Sequence, residues 1–203
     1  LRFLLDKGPQ AAEGIQWAAD LIVKHKVAPS VEDLADLNTR TLFETNRVGM
    51  HFTANWYLGD AKRKAKANWD IVPLPVGTAG RKALVQGANY AIFKLTKHPD
   101  AAWKLMFDLS AREGQKIMVR ESSLYPTIKS YATLENLKNY KQEWIDVSVI
   151  SAKVARPNHF VPKFVEMNTA FNKELGEVWV GRKTAKEAVA KMVPAVNEIL
   201  TSE

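Results

Sequence analysis

Apolar residues recur at helical spacing over most of this chain, while alternating or continuous apolar runs are few and short. Ile15, Ala18, Ala19 and Ile22 share one face of a helix predicted over residues 9–26, with Trp17 and Leu21 alongside and Pro9 suited to the first turn. Residues 27–30 break that pattern, and Ser30 fits an N-cap ahead of Glu32 and Asp33. A second helix is predicted over 39–45, a short strand over 48–52 and a basic helix over 55–67. Pro73 and Pro75 forbid helix and hold residues 69–75 extended. Residues 76–83 read as a loop, and 85–93 as a strand around Gly87, whose missing side chain permits close approach of another group.

The second half is almost wholly helical in pattern. Ala101, Ala102, Leu105, Met106 and Leu109 give a helix over 99–109, and Ser110 with Glu113 reads as a capping box opening another over 111–120. Residues 121–126 interrupt the pattern, 135–154 are mostly helical, and 155–162 form a loop held by two prolines. A closing pair spans 163–180 and 184–200, with Gly181 as the C-cap between them and Thr184 with Glu187 as a second capping box. Pro194 is expected to kink the last helix. Trp103, Trp144 and Trp179 sit at core spacing, Trp17 and Trp69 read as packing residues, and Tyr90 as inward-facing. The result is a helix-rich α/β chain whose short strands belong to more than one sheet.

Charge and composition narrow the function by exclusion. The formal charge of +7 comes from Lys and Arg scattered among Glu and Asp. The tightest run, Lys62-Arg63-Lys64-Ala65-Lys66, is a solvated helix face rather than the coherent stripe of a nucleic-acid site. The chain has no cysteine, which removes thiol catalysis, disulfides and Cys-ligated zinc. No apolar run reaches membrane-spanning length. His25, His51, His98 and His159 show no metal-ligand spacing, and neither a phosphate-binding glycine loop nor a nucleophile elbow is present. No two carboxylates can be nominated as a glycosidase pair. The chain does not begin with Met, and Leu1-Arg2-Phe3-Leu4-Leu5-Asp6 reads as the interior of something longer.

One stretch carries positive chemistry. Residues 42–56 run from the end of an amphipathic helix through a short apolar segment into a small polar loop bearing Asn55 and Trp56. Strand–helix junctions are where α/β proteins hold small molecules. An indole face suits the C–H face of a sugar ring, and an amide suits its hydroxyls. The alternatives are that Trp56 is the first core residue of the next helix and that Asn55 is merely its N-cap.

Several motifs in order resemble a known family. They are Leu21-Ile22-Val23, Val27-Ala28-Pro29-Ser30, the run from Leu42 to Met50, Asn55-Trp56, and Ile71-Val72-Pro73-Leu74-Pro75. Gly87-Ala88-Asn89-Tyr90-Ala91-Ile92, Ala101-Ala102-Trp103, Ser110 to Gln115, Tyr125-Pro126 and Gly181-Arg182-Lys183-Thr184 complete the series. Together they resemble the carboxy-terminal half of the extracellular solute-binding proteins of sugar ABC transporters, the family that includes maltose-binding protein.

The resemblance implies a type II periplasmic-binding-protein-like α/β fold, helix-rich and incomplete, holding mostly the second lobe and a segment of the first. Residues 1–74 would be second-lobe, 75–125 the hinge crossing and first-lobe segment, and 126–203 the second lobe's carboxy-terminal helices. It further implies a carbohydrate held in a cleft between lobes that close over it, delivery to membrane permease subunits, no cofactor and no catalysis. The location would be periplasmic or extracellular, free or lipid-anchored. The positions matching ligand contacts are Asn55, Trp56, Gly87, Asn89, Tyr125 and Arg156, with Asn158 and His159 weaker. Where relatives have two glycines this chain has Gly87-Ala88, and where many place an aromatic it has Leu124, one residue before Tyr125. A glycoside-processing enzyme and a basic nucleic-acid-binding domain are the competing readings.

Overall fold

A computed structural model describes residues 3–87, 89–122, 127–128, 130, 137, 140–157 and 161–202. The chain divides into two compact units, Leu1–Leu42 with His159–Glu203, and Phe43–Asn158.

The first unit is helical. Helices α1 (Gln10–Val23), α7 (Phe164–Trp179) and α8 (Ala185–Thr201) pack on one another. Ala19, Val178, Ala185, Ala188, Met192 and Val196 are buried at their junction, with Ile15, Phe171, Trp179 and Leu200 packed around them. Small residues on α1 and at the start of α8 let the helices approach closely, and Met192 fills the space left between them. The chain's opening is fastened to α8: Asn197 accepts the Phe3 backbone N–H at 2.7 Å and donates to the Phe3 carbonyl at 3.2 Å. The Phe3 ring meets Phe171 edge-on at 4.9 Å.

The α7–α8 turn follows its sequence signals. Gly181 has φ +74°, its N–H bonds the Val178 carbonyl at 3.0 Å, and the Arg182 N–H bonds the Glu177 carbonyl at 2.8 Å, which is a Schellman close. The Thr184 hydroxyl accepts the Glu187 N–H at 3.2 Å, and the Glu187 carboxylate accepts the Thr184 N–H at 2.8 Å, giving the expected capping box. Gln16 reaches from α1 to accept the Ala185 N–H at 2.9 Å, so a further donor of the α8 start is satisfied. Helix α8 continues through Pro194. The Ser30 hydroxyl accepts the Asp33 N–H at 3.1 Å, as an N-cap would, and the Asp33 carboxylate accepts the Ser30 N–H at 2.8 Å, but residues 31–36 form turns, so no helix follows the expected cap. Helix α2 (Thr39–Glu44) leads into the second unit.

The second unit carries the sheet. After a 3-10 turn at Asn55–Tyr57 come α3 (Leu58–Lys64), β1 (Ala83–Val85), α4 (Pro99–Ser110), α5 (Arg112–Ser122), α6 (Gln142–Val154) and β2 (Ala155–Pro157). Strands β1 and β2 are parallel, with Ala83 opposite Ala155, Leu84 opposite Arg156 and Val85 opposite Pro157. A parallel pair needs a long crossover, supplied here by the stretch that carries α4, α5 and α6. The core gathers Leu58, Val119, Leu137, Tyr140 and Trp144, with Trp69, Ile71 and Ile145 against it. Trp69 lies stacked on Trp144 at 4.9 Å, and the Trp144 indole N–H donates to Asp70 at 2.6 Å.

Several expectations are corrected. Residues 48–52 form no strand among the described residues, and β1 covers 83–85 rather than 85–93. Residues 155–157 are a strand rather than a loop, because they find a ladder partner some seventy residues earlier. The basic helix is shorter than 55–67, and α6 begins at Gln142. Ser110 ends α4 instead of capping α5, and Glu113 pairs with Lys116 at 2.8 Å. Trp144 is buried and Trp179 half-buried as expected, but Trp17 and Trp103 are exposed, as are Leu105 and Tyr90. Helical spacing identifies a face, and among the described residues Trp17, Trp103 and Leu105 remain exposed on theirs.

Candidate functional site

The 3-10 turn at Asn55–Tyr57 is built around its last residue. Tyr57 is 1% exposed, and its hydroxyl donates to the Glu44 carboxylate at 2.9 Å. Its ring meets His51 edge-on at 5.4 Å, and His51 in turn faces Phe43 at 6.0 Å. Successive residues of a 3-10 turn point about 120° apart, so burying Tyr57 turns its two predecessors outward. Trp56 is accordingly 43% exposed, with its ring held at 6.2 Å and 73° to Tyr57. Asn55 is exposed too, and the capping position belongs to Ala54, so Asn55 does not cap the turn. Both bland readings of the pair therefore fail: Tyr57, not Trp56, is the first core residue. Tyr57 was missed from sequence; its spacing to Leu58 and Ala61, all three buried, was the available signal.

Three other nominated residues lie around the two-stranded sheet. Arg156 is exposed on β2, in register with Leu84, and its guanidinium donates to the Ala155 carbonyl at 3.2 Å. Gly87 and Asn89 are exposed where the chain leaves the carboxyl end of β1, the end at which parallel sheets hold ligands. A Cβ added at Gly87 would meet no atom of the described residues within 4 Å, so none of them uses the close approach its sequence allows. Thus Asn55 and Trp56 stand together on one turn, while Gly87 and Asn89 follow β1 and Arg156 sits on its ladder partner β2 in the same unit. Tyr125, Asn158 and His159 lie outside the described residues.

An open cleft of about 380 Å³ lies elsewhere in this unit, between Phe43, Asn46, Val48, Gly49, Asn68 and Asp70. None of the nominated residues that the structure describes lines it. Asp70 at its edge was also missed from sequence. The Trp144 indole N–H, then the Ile71 backbone N–H, hold its carboxyl below the usual carboxylate range, with Lys141 at 3.8 Å assisting. That arrangement fixes Trp144 in the core, a structural role rather than proton chemistry. Among the described residues no group of three His, Asp or Glu could hold a metal ion, and no helix is long and apolar enough to cross a membrane.

Comparison with solved structures gives the fold. The chain matches the ABC substrate-binding protein Lmo0181 of Listeria monocytogenes, solved in complex with cycloalternan, with a TM-score of 0.80 and 18% identity, over 100% of this chain and 52% of that one. It matches maltose-bound MalE3 of Thermotoga maritima with a TM-score of 0.80 and 22% identity, over 98% and 52%. The maltotriose-bound maltose/maltodextrin-binding domain MalE of Bdellovibrio bacteriovorus matches with a TM-score of 0.75 and 18% identity, over 94% and 50%. The fold is thus the α/β type II periplasmic-binding-protein fold expected from sequence, over about half the length of those proteins. No curated protein matches the chain. The sequence model of one family, described as bacterial extracellular solute-binding protein, covers residues 4–144, and the chain belongs to that family.

Proposed function

We propose that this chain is part of the substrate-binding component of an ABC importer, one that captures a carbohydrate in an interlobe cleft and delivers it to membrane permease subunits. The observation that carries the reading is Trp56, 43% exposed beside Asn55 on a turn locked by Tyr57. A fixed indole face offers apolar area at small entropic cost, and the neighbouring amide orients hydroxyls. Gly87 and Asn89 add a backbone approach and an amide beyond the carboxyl end of β1, and Arg156 adds a planar donor fork in the middle of β2. Tyr125 is carried in the same proposal from sequence alone. The sugars held by the Listeria, Thermotoga and Bdellovibrio proteins support a carbohydrate as the ligand class.

On this reading residues 1–74 and 126–203 belong to the second lobe, and 75–125 make the crossing and first-lobe excursion. The protein binds without transforming its ligand and works in the periplasm or outside the cell, free or tethered by lipid. Calorimetry of the complete receptor against a panel of mono- and oligosaccharides tests it, with saturable binding expected for at least one. Absence of heat with every sugar would refute the carbohydrate assignment. Time-dependent product formation from a bound sugar would refute the receptor reading in favour of an enzyme.

A further inference from the structure

Charge is distributed unevenly around the two-stranded sheet. Residues 71–99 and 147–165 contain no Asp or Glu; all 22 acidic residues of the chain fall elsewhere. The first stretch supplies β1 and the second β2, so the ladder joins two acid-free segments. Four cations stand on these segments close to the ladder. Arg81 and Lys82 lead directly into β1, Lys153 is in the last turn of α6, and Arg156 is the central residue of β2. Gly87 and Asn89 belong to the same acid-free stretch as β1.

Exposure alternates along the approach to β1: Arg81 and Ala83 are half-buried, Lys82 and Leu84 exposed. Successive residues of extended chain point to opposite faces, which sets Lys82 on the side of Leu84, and Leu84 is the ladder partner of Arg156. Long side chains at such diagonal positions reach one another. Arg156 commits one guanidinium N–H to the Ala155 carbonyl, at 3.2 Å, and Arg81 commits its Nε–H to the Leu74 carbonyl. Among the described residues no carboxylate pairs with Lys82, Lys153 or Arg156. Sugar hydroxyls both donate and accept, whereas ammonium and guanidinium groups only donate, and their full complement is a group that only accepts. Ionised oxygens are such acceptors, and their charge-assisted bonds to a planar guanidinium fork are about twice as strong as neutral ones. We propose that the site selects a carbohydrate bearing an anionic substituent, a uronate carboxylate or a phosphate or sulfate ester. Arg156 grips the anionic oxygens, and Lys82 and Lys153 supply the surrounding positive field. The inference rests on the receptor reading and sets the class of sugar within it.

Isothermal titration of the complete receptor tests it, with neutral mono- and disaccharides each paired with its uronate, phosphate ester and sulfate ester. At least one anionic member should bind ~10-fold or more tightly than its neutral parent, and added salt should erode that preference. The member that binds best tells a carboxylate from a phosphate or sulfate. Arg156→Gln should raise the Kd for the anionic sugar ~10-fold and leave that of the neutral parent within about twofold. Lys82→Gln should reduce the preference in part. Lys186→Gln, at an exposed cation of the first unit, removes the same charge and should leave the preference intact. Equal affinity for the two kinds of sugar, binding confined to neutral sugars, or a preference that survives Arg156→Gln would each overturn the inference while the receptor reading stands. Inorganic phosphate or sulfate binding as tightly as the best sugar would overturn it as well, by making the cluster a bare anion site. An absence of heat with every sugar, neutral or anionic, would refute the carbohydrate reading and the inference with it.

Discussion

On the proposed function Trp56 and Tyr57 are neighbours with opposite duties, so replacing each should separate binding from folding. Trp56 is 43% exposed, which on a side chain of roughly 200 Å² leaves about 90 Å² for a ligand to cover. At ~25 cal/mol per Å², covering that face contributes about 2 kcal/mol, so Trp56→Ala should raise the Kd for sugar ~30-fold. The covered part of the ring limits the folding cost of the same change to about 3 kcal/mol. Tyr57→Phe leaves the ring in place and removes only the hydroxyl that donates to Glu44 at 2.9 Å. A hydrogen bond to a carboxylate is worth about 1.5 kcal/mol or more, so this variant should lose stability and keep its Kd within about twofold. Urea unfolding and isothermal titration of the complete receptor measure the two quantities on the same samples. A folded Trp56→Ala protein whose Kd changes by less than about threefold would refute the stacking argument. A Tyr57→Phe protein that loses affinity while keeping its stability would reverse the two roles.

The remaining expectations concern the frame around the site. Thr184→Ala removes the hydroxyl half of the α8 capping box and should lower stability by ~1 kcal/mol, read as a fall in urea midpoint without a change in slope. Gly181→Ala combines a left-handed backbone with a Cβ that would sit 2.9 Å from a Val23 methyl, and should cost ~1–2 kcal/mol or more; a neutral result would mean the α7–α8 turn is not seated on α1 as described. Met192→Ala, at a fully buried position, should cost ~2–5 kcal/mol of thermal stability. Asp70 has a folded pKa depressed by the Trp144 and Ile71 N–H groups, so its stabilisation is present above the ordinary carboxylate pKa. It is lost as pH falls through the depressed value. Asp70→Asn should therefore be less stable at neutral pH, and the gap should close below about pH 4, followed by Trp144 fluorescence. A gap that stays constant across that range would remove Asp70 from the acid response.

Legibility in the sequence divides along one physical line, the distance to the partner that decides each feature. The Thr184–Glu187 box and the Gly181 close are settled by groups within five residues, and both form as their local chemistry requires. Helices α1, α2, α4, α7 and α8 depend on periodicity over a few turns and fall close to their predicted bounds. Strands depend on a ladder partner that no local window contains. Residues 155–157 read as a loop because the stretch 155–162 carries Pro157 and Pro162, yet they pair with 83–85; residues 48–52 read as a strand yet join no ladder among the described residues. The same line runs through the site. The family position nominates Trp56 for the proposed ligand contact, but which of two adjacent aromatics is buried depends on Glu44 and His51, and only the folded turn answers it. Trp17 and Trp103 show the converse. Their helical spacing is that of core residues, and a face patterned for burial but left in water is evidence about what belongs against it.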